Sequence, residues 1–411
     1  PAGLAAADVM RRYGYQVEVY DRHDRIGGLL IYGIPSFKLE KDIVERRADL
    51  LAASGVVFHT STEIGRDISF GDLQARHDAV LIATGVYGAR DIKVPGVGLD
   101  GVVDALDYLI ASNRNGLGDA VPDFDSGMLD AAGKHVVVIG GGVLGCSIAY
   151  HLTKAGCDDV LLLERAELTS GSTWHAAANI HAMHGNASLA RLQDYTIKIY
   201  DRLEEEPGQS VGLHRCGGLY LATSEERFDE LKIQRGRARY LGQEFEIIGP
   251  DEIAKLNPLV NMERVIGGMW GASDGHVDPS GVTQAFAKGA RMGGAVIERE
   301  CPVTGLVQRA DGGWDITTPK GNVVAEFVVN AAGLWAREVA ALAGYTLPLV
   351  PMEHQYIVTE SVPEIAGLEK EMPLTRDQDG EFYMRQERDG LLLGCYERSG
   401  VHWAIDGTPL D

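Results

Sequence analysis

The stretch HVVVIGGGVLGCSIAYHL, residues 135–152, decides the fold. Val136, Val137, Val138 and Ile139 form an unbroken apolar, β-branched run. That is the composition of a parallel strand buried on both faces. Gly140, Gly142 and Gly145 follow as G-x-G-x-x-G, and a helix is predicted from about Val143 to Lys154, ending near Gly156. In such a turn the first glycine permits the tight bend. The second lets backbone N–H groups approach a pyrophosphate, and the third lets the helix pack close to the strand. A further strand, DVLLLE (159–164), ends in Glu164, about 20 residues beyond Gly145, the spacing of a ribose-binding carboxylate. The glycine triplet alone is a weak signal. Strand, turn, helix, strand and acid in this order predict a dinucleotide-binding βαβ unit.

Downstream, LTSGSTWHAAANIHAMHGN (168–186) is a small, polar, glycine-containing loop that can wrap a cofactor's phosphates and ring, with a helix expected after it. FVVNAAGLWAREVAALAG (327–344) predicts another buried strand ending at Ala331-Ala332-Gly333. Two strand ends facing one dinucleotide point to bound FAD rather than exchangeable NAD.

Upstream, the opening PAGLAAADVMRRYGYQVEVYDR reads as the second half of a similar unit. A helix is expected over Leu4 to Arg12, then an alternating strand that ends in Asp21. Gly3 takes the place of a last turn glycine. HDAVLIATGVYGARDIKVPG (77–96) predicts a buried strand ending in Ala83-Thr84-Gly85, where a glycine lets backbone pass near a cofactor. The strand and turn that should precede residue 1 are absent from the sequence, so Val17 to Tyr20 are expected at a sheet edge or beside a different neighbour.

With 411 residues the chain is long enough for two or three domains. A net charge of −21 argues against nucleic acid or an anionic membrane as partner. No apolar run reaches a membrane span. The five cysteines are scattered, with no C-x-x-C pair, so no metal site is expected, and unpaired thiols fit the cytoplasm.

In the last third, PMEHQYIVTE (351–360) alternates, placing His354 and Tyr356 on one strand face, and EFYMRQE (381–387) places Tyr383 and Arg385 together. Inward Tyr, His and Arg suit a carboxylate-bearing amine; ordinary cross-strand pairs are the competing reading. Trp270 is assigned to core packing ahead of a pocket wall. Asp278 before Pro279 is assigned to a helix cap, and the run Glu204-Glu205-Glu206 to a solvated face. His181 and His184 carry no functional signal.

Two resemblances follow from these motifs. Residues 1–133 resemble the small FAD- and NADPH-binding subunit of glutamate synthase through GGLLIYGIPSFKLEKDIVERR (27–47) and HDAVLIATGVYGARDIKVPGVGLDGVVDALDYL (77–109). The resemblance implies Asp21 on an FAD ribose and Gly27-Gly28-Leu29-Leu30 near the flavin. The pattern departs from that family at Val143, where a polar, Asp-containing stretch belongs. Residues 134–411 resemble the FAD-dependent dimethylglycine and sarcosine dehydrogenases of the D-amino-acid-oxidase-like group, through LTSGSTWHAAA, DGHVDPSGV, NAAGLWAREVAALAG, PMEHQYIVTE and EFYMRQERDGLLLGCYE. Both families share G-K-x-V-V-V-I-G-G-G at a βαβ start, and the chain passes from one to the other inside it.

The expected fold class is α/β. A partial Rossmann-like flavin domain (1–133) precedes a second FAD-binding Rossmann-like domain with an α+β substrate domain (134–411), its substrate strands mainly within 215–300 and 340–411. The second resemblance implies a cofactor site of Gly140, Gly142, Val143, Leu144, Gly145, Glu164, Arg165, Gly171, Ser172, Thr173, Trp174, His175, Ala332 and Gly333. It implies covalent flavin attachment through His175 in an intact homologue. His354, Tyr356, Tyr383 and Arg385 are the catalytic candidates. The implied substrate is a small N-methylated amino acid, dimethylglycine or sarcosine, with an acceptor such as an electron-transfer flavoprotein. Tetrahydrofolate would enter only through a module that the sequence does not contain. The chain is expected to be cut at both ends, and its own activity is open. Two alternatives stand beside the amine dehydrogenase: an NADPH-linked FAD electron-transfer subunit of glutamate synthase, and a non-catalytic composite of two partial flavoproteins.

Overall fold

The computed structural model describes all residues except 37–38, 86–102, 104, 127–128, 130–132 and 410–411. Strands are numbered β1 to β18 in chain order. The described residues form two compact units, one up to residue 129 and one from residue 133 on.

In the first unit the predicted helix spans Ala2–Arg12 and leads into β1 (Val17–Tyr20). β1 pairs in parallel with β2 (Val56–His59), Val17 opposite Val56. Ala7, Leu51 and Val56 are buried between this two-stranded sheet and the helices Ala2–Arg12 and Lys41–Ala53. Among the described residues β1 has no second neighbour. The strand expected to end at Ala83-Thr84-Gly85 does not form. Residues 79–85 have no regular structure, and Leu81 and Ile82 are 70% and 68% exposed. An apolar run becomes a strand only where an open sheet edge supplies its hydrogen bonds and a core covers its side chains. Here no core covers the side chains, and the run does not pair with the free edge of β1. The remainder of that motif, 86–96, lies outside the described residues.

The second unit opens on β3 (His135–Ile139), the helix Val143–Lys154 and β4 (Asp159–Leu163), close to the expected bounds. With β10 (Val296–Glu298) and β14 (Phe327–Asn330) they form a parallel sheet of order β10-β4-β3-β14. The apolar run at 136–139 is buried because each face of this sheet is covered. Val136 and Val138 pack with Cys146, Ala149 and Tyr150 of the first helix and with Ala285, Phe286 and Ala290 of the helix Pro279–Met292. Val137 and Ile139 pack on the other side with Leu306, Ile316 and Ala325. Those three belong to an antiparallel meander, β11 (Gly305–Gln308), β12 (Trp314–Thr318) and β13 (Gly321–Ala325).

A second, seven-stranded sheet has the order β15-β18-β17-β16-β6-β8-β7. Its members are β6 (Gly218–Ala222), β7 (Glu246–Ile248), β8 (Gly267–Gly271), β15 (Tyr356–Val358), β16 (Leu374–Asp377), β17 (Phe382–Glu387) and β18 (Gly390–Cys395). A short pair, β5 (Asn179–Ile180) and β9 (Gly275–His276), stands apart. The register of the large sheet aligns Tyr356, Gly394, Tyr383, Arg376 and Tyr220 in one cross-strand row. Period-two alternation puts Arg385, Leu392 and Val358 on that same face. The opposite face carries Leu219, Leu221 and Trp270 in a separate core, so Trp270 packs as expected. Asp278 caps the helix Pro279–Met292, accepting from Ser280 N–H at 3.0 Å. The acidic run at 204–206 is not simply solvated. Glu206 accepts from Tyr150 Oη and Lys154, and Glu204 from the Val211 N–H.

Candidate functional site

The crevice at the end of β3 is built from residues that leave no room for side chains. Gly140 has φ +118°, and a Cβ there would collide with the Ala331 carbonyl of the neighbouring strand end. A Cβ on Gly145 would collide with the Gly140 carbonyl oxygen. Glu164, 8% exposed, turns toward this bend. Its carboxylate accepts from the Gly141 N–H at 2.6 Å and the Ala166 N–H at 2.9 Å. Each oxygen keeps acceptor capacity for a further donor such as a ribose hydroxyl. The helix Val143–Lys154 has no acidic residue in its first turn, and Gly142 supplies no side-chain cap. Leu144, at the same end, is 67% exposed. The positive end of the helix dipole is thus left for an anion. The cradle, the helix end with no acid in its first turn and the adjacent Glu164 fit FAD.

The loop after β4 closes over this end. Thr173 Oγ1 accepts from the Val143 N–H at 3.1 Å. Gly171 lies where a Cβ would come 3.0 Å from the Trp335 ring, and Arg165 stacks over that ring at 4.0 Å. Ala332 and Gly333 follow β14, and Ala331 N–H donates to the Ile139 carbonyl at 2.8 Å. Ser172 and His175 are exposed. The His175 imidazole makes no hydrogen bond among the described residues, and its ring meets Trp174 edge-on at 4.9 Å. The expected helix follows the loop, at Ala187–Glu205.

Beyond His175 lies a cavity of about 500 Å³, walled by Trp174, Ala176, Tyr356, Arg385 and Leu392 among others. Two of the four catalytic candidates, Tyr356 and Arg385, therefore meet. Tyr383, two residues before Arg385 on β17, is buried on the same face and fills the notch above Gly394; burial pushes its hydroxyl pKa up. His354 does not join them. The strand begins only at Tyr356, and His354 is exposed, its Nδ1 2.9 Å from Glu397. Arg385 is itself engaged, donating to the Ala177 carbonyl, the Gln386 carbonyl and Glu387.

Sequence reasoning missed three polar groups. Asp274, with 0% exposure, accepts from Tyr220 Oη at 2.7 Å and from the Ala182 N–H at 3.0 Å. Burial outweighs these bonds and raises its pKa to about 6. His181 lies 3.0 Å from the Met183 carbonyl, and burial, with the Arg376 charge, lowers its pKa to about 4. The third group is a clamp. His214 and His276 approach the two oxygens of Glu371 at 2.8 and 2.7 Å, and their rings stack at 4.5 Å. The ligand-type atoms lie within 4.8 Å of one another, where no such cluster was expected. The rings are only 15° from parallel, so their lone-pair axes run side by side instead of converging on one ion. The arrangement is a hydrogen-bonded clamp. Burial lowers the His276 pKa, and bonds from both histidines hold Glu371 low against its own burial. No local motif marks Asp274 or the clamp, because their partners lie far away in sequence.

The profile of the FAD dependent oxidoreductase family matches residues 135–409. The chain belongs to this family. A second profile, pyridine nucleotide-disulphide oxidoreductase, matches residues 1–184, so both cover the βαβ unit that begins at His135. The chain is 48% identical over 278 residues to the mitochondrial dimethylglycine dehydrogenase of Rattus norvegicus, covering 66% of this chain and 32% of that protein. It is 56% identical over 167 residues to the glutamate synthase [NADPH] small chain of Azospirillum brasilense, covering 41% and 35%. It thus spans about a third of the length of these curated relatives. Among solved structures, L-proline dehydrogenase from P. horikoshii superposes with a TM-score of 0.58 at 27% identity, covering 68% of this chain and 72% of that one. FAD is the cofactor of the family, and the fold is the Rossmann-like flavin fold expected. No helix among the described residues is long and apolar enough to cross a membrane.

Proposed function

We propose that the second unit oxidises the N-methyl C–N bond of a small amino acid, dimethylglycine or sarcosine, with FAD in the glycine crevice. The continuity of one loop carries this reading. Thr173 touches the helix end that faces the crevice, and Trp174 and Ala176 wall the cavity that holds Tyr356 and Arg385. Bound there, FAD would accept a hydride equivalent from the methyl carbon and pass the electrons to an acceptor such as an electron-transfer flavoprotein. Gly140, Gly142, Val143, Leu144 and Gly145 would hold the pyrophosphate and Glu164 the ribose. Arg165, Gly171, Ser172, Ala332 and Gly333 would line the remainder. His175, in the loop whose Trp174 and Ala176 wall the cavity, would hold the flavin covalently. Trp174 would wall the cavity, and Tyr356 and Arg385 would orient the amine within it. The name of the rat relative supports the substrate class.

The test is anaerobic bleaching of the full chain reconstituted with FAD. Dimethylglycine or sarcosine is expected to bleach it and to release formaldehyde. Retained FAD that neither amine bleaches, but NADPH does, overturns this reading in favour of the NADPH-linked alternative that the Azospirillum relative supports. After acid precipitation the flavin is expected in the protein pellet, and His175→Ala should release it.

A further inference from the structure

One wall of the cavity stands on a short support. Trp174 and Ala176 belong to the loop that follows β4, and just past them that loop is held at 177–180. Arg385 donates to the Ala177 carbonyl, the Val277 N–H donates to the Ala178 carbonyl at 3.1 Å, and Asn179 and Ile180 pair with His276 and Gly275. Apart from Arg385, the hold thus comes from β9 and the residue after it, and β9 is two residues long. A strand pair this short is not stable by itself and needs anchoring from outside. On its other side β9 exchanges N–H to carbonyl bonds with His214, so closely that a Cβ on Gly275 would collide with the His214 carbonyl. Apart from this bridge the chain around His214 is irregular and offers no frame of its own.

The anchor comes from a side chain. His276 Nε2 lies 2.7 Å from one Glu371 oxygen, and His214 Nδ1 lies 2.8 Å from the other. An ionised carboxylate only accepts, so both of these ring nitrogens carry the proton, and Glu371 sets the tautomer of each ring. Glu371 is in turn tied to the opposite wall. The next residue, Met372, donates its N–H to the Gln386 side chain at 3.0 Å, and Gln386 lies between the lining residues Arg385 and Glu387.

We infer that Glu371 is a positioning residue for the amine site: by fixing His276 it holds β9, and through β9 the loop that carries Trp174 and Ala176. What the cavity binds rests on the amine-oxidation reading above. Glu371 stands outside the cavity lining and acts only through this chain of contacts. Without it the wall is in place for only part of the time. A site that is competent for only a fraction of the time binds more weakly by that fraction, while saturating substrate draws it back to the competent form. The expected signature is therefore a raised KM with kcat nearly kept.

The test reads the loop and the reaction separately, in the full chain loaded with FAD. In Glu371→Ala the Val277 amide is expected to exchange on the order of 30-fold faster, with the amides of Val137 and Val138 unchanged. The KM for dimethylglycine should rise about 10-fold while kcat falls less than about twofold. Glu371→Gln keeps an acceptor for His276 and offers a donor to His214 in its other tautomer, so it should bring both readouts back to within about threefold of the parent. His276→Leu puts an apolar residue at a buried position and cuts the same link from the other end. It should raise KM as Glu371→Ala does, with no further rise in the double variant, and it carries the same readouts where Glu371→Ala does not fold. The inference is overturned if Val277 exchange does not change, if Val137 and Val138 accelerate equally, if Glu371→Gln behaves as Glu371→Ala, or if the effects of the two sites on KM add. If Val277 exchanges faster but neither dimethylglycine nor sarcosine reduces the flavin, the proposed reaction fails and the hold on the loop stands. If dimethylglycine is oxidised with an unchanged KM in Glu371→Ala, the reaction stands and the positioning role fails.

Discussion

The two units contain the same device in different states of completion. In the second, an apolar run at 327–330 pairs with β3, and the residues after it meet a glycine turn. In the first, an equally apolar run at 79–85 stays exposed and unpaired. Glu164 reaches across the turn to a backbone N–H 23 residues away, whereas Asp21 accepts from His23, two residues on. Gly145 is locked against the Gly140 carbonyl; a Cβ on Gly3 would make only an ordinary 3.5 Å contact with Ala83. Local sequence signals are alike in both units. Among the described residues, what differs is a strand paired on both sides, as β3 is with β4 and β14 and β1 is not.

This contrast can be broken most sharply by amide hydrogen exchange. Amides of Val328 and Val329 should exchange on the order of 1,000-fold more slowly than those of Leu81 and Ile82. Comparable rates would show that the second run is no better fixed than the first. Glycine replacement should follow with opposite signs. Gly145→Ala is expected to cost about 3 kcal/mol and to abolish FAD retention, because its Cβ meets backbone. Gly3→Ala, inside a helix where the added Cβ makes only an ordinary contact with Ala83, should be neutral or stabilise by about 0.5 kcal/mol. Urea unfolding with bound-flavin absorbance reads both.

Acid should expose another asymmetry, since half-buried His181 and fully buried Asp274 both belong to the second unit. The His181 pKa is lowered to about 4, so below its ordinary value the unfolded chain takes up a proton that the folded chain refuses, and stability falls with pH. Asp274 is raised to about 6, so the folded chain binds its proton first, and stability rises as pH falls through that value. Between about pH 6 and 4 the two oppose each other. Asp274→Asn should unmask a loss of roughly 3 kcal/mol on acidification, and His181→Gln a gain of similar size; parallel slopes in the two variants would refute the assignment. The smallest effect concerns the acids. Glu164→Gln replaces one acceptor by an amide donor and should cost roughly 1–2 kcal/mol, while Asp21→Asn keeps its bond to the His23 N–H and should cost less than about 0.5 kcal/mol.

The βαβ unit at 135–164 was legible because its instructions are local. Periodicity, three glycines and one acid lie within a single stretch, and strand and helix fall close to the expected bounds. Tyr356, Tyr383 and Arg385 were legible as one face because alternation survives any choice of neighbour. His354 was not, since the strand starts two residues later and releases it toward Glu397. The buried Nε of Arg376, with no hydrogen-bond partner among the described residues, escaped notice for a different reason. An orphaned donor is defined by the partners it lacks, and no stretch of sequence states that. The clamp and the Asp274 site were hidden by distance, their partners lying 54 to 157 residues apart.

That clamp also bears on the order of events as the chain folds. Glu371 joins His214 and His276 across separations of 157 and 95 residues. Closing such loops is entropically costly until the intervening strands are in place, and contacts of this range slow folding. One carboxylate thus acts as a late latch, engaging only after β6, β8 and the helix at 279–292 have assembled, and so reporting the completion of the large sheet.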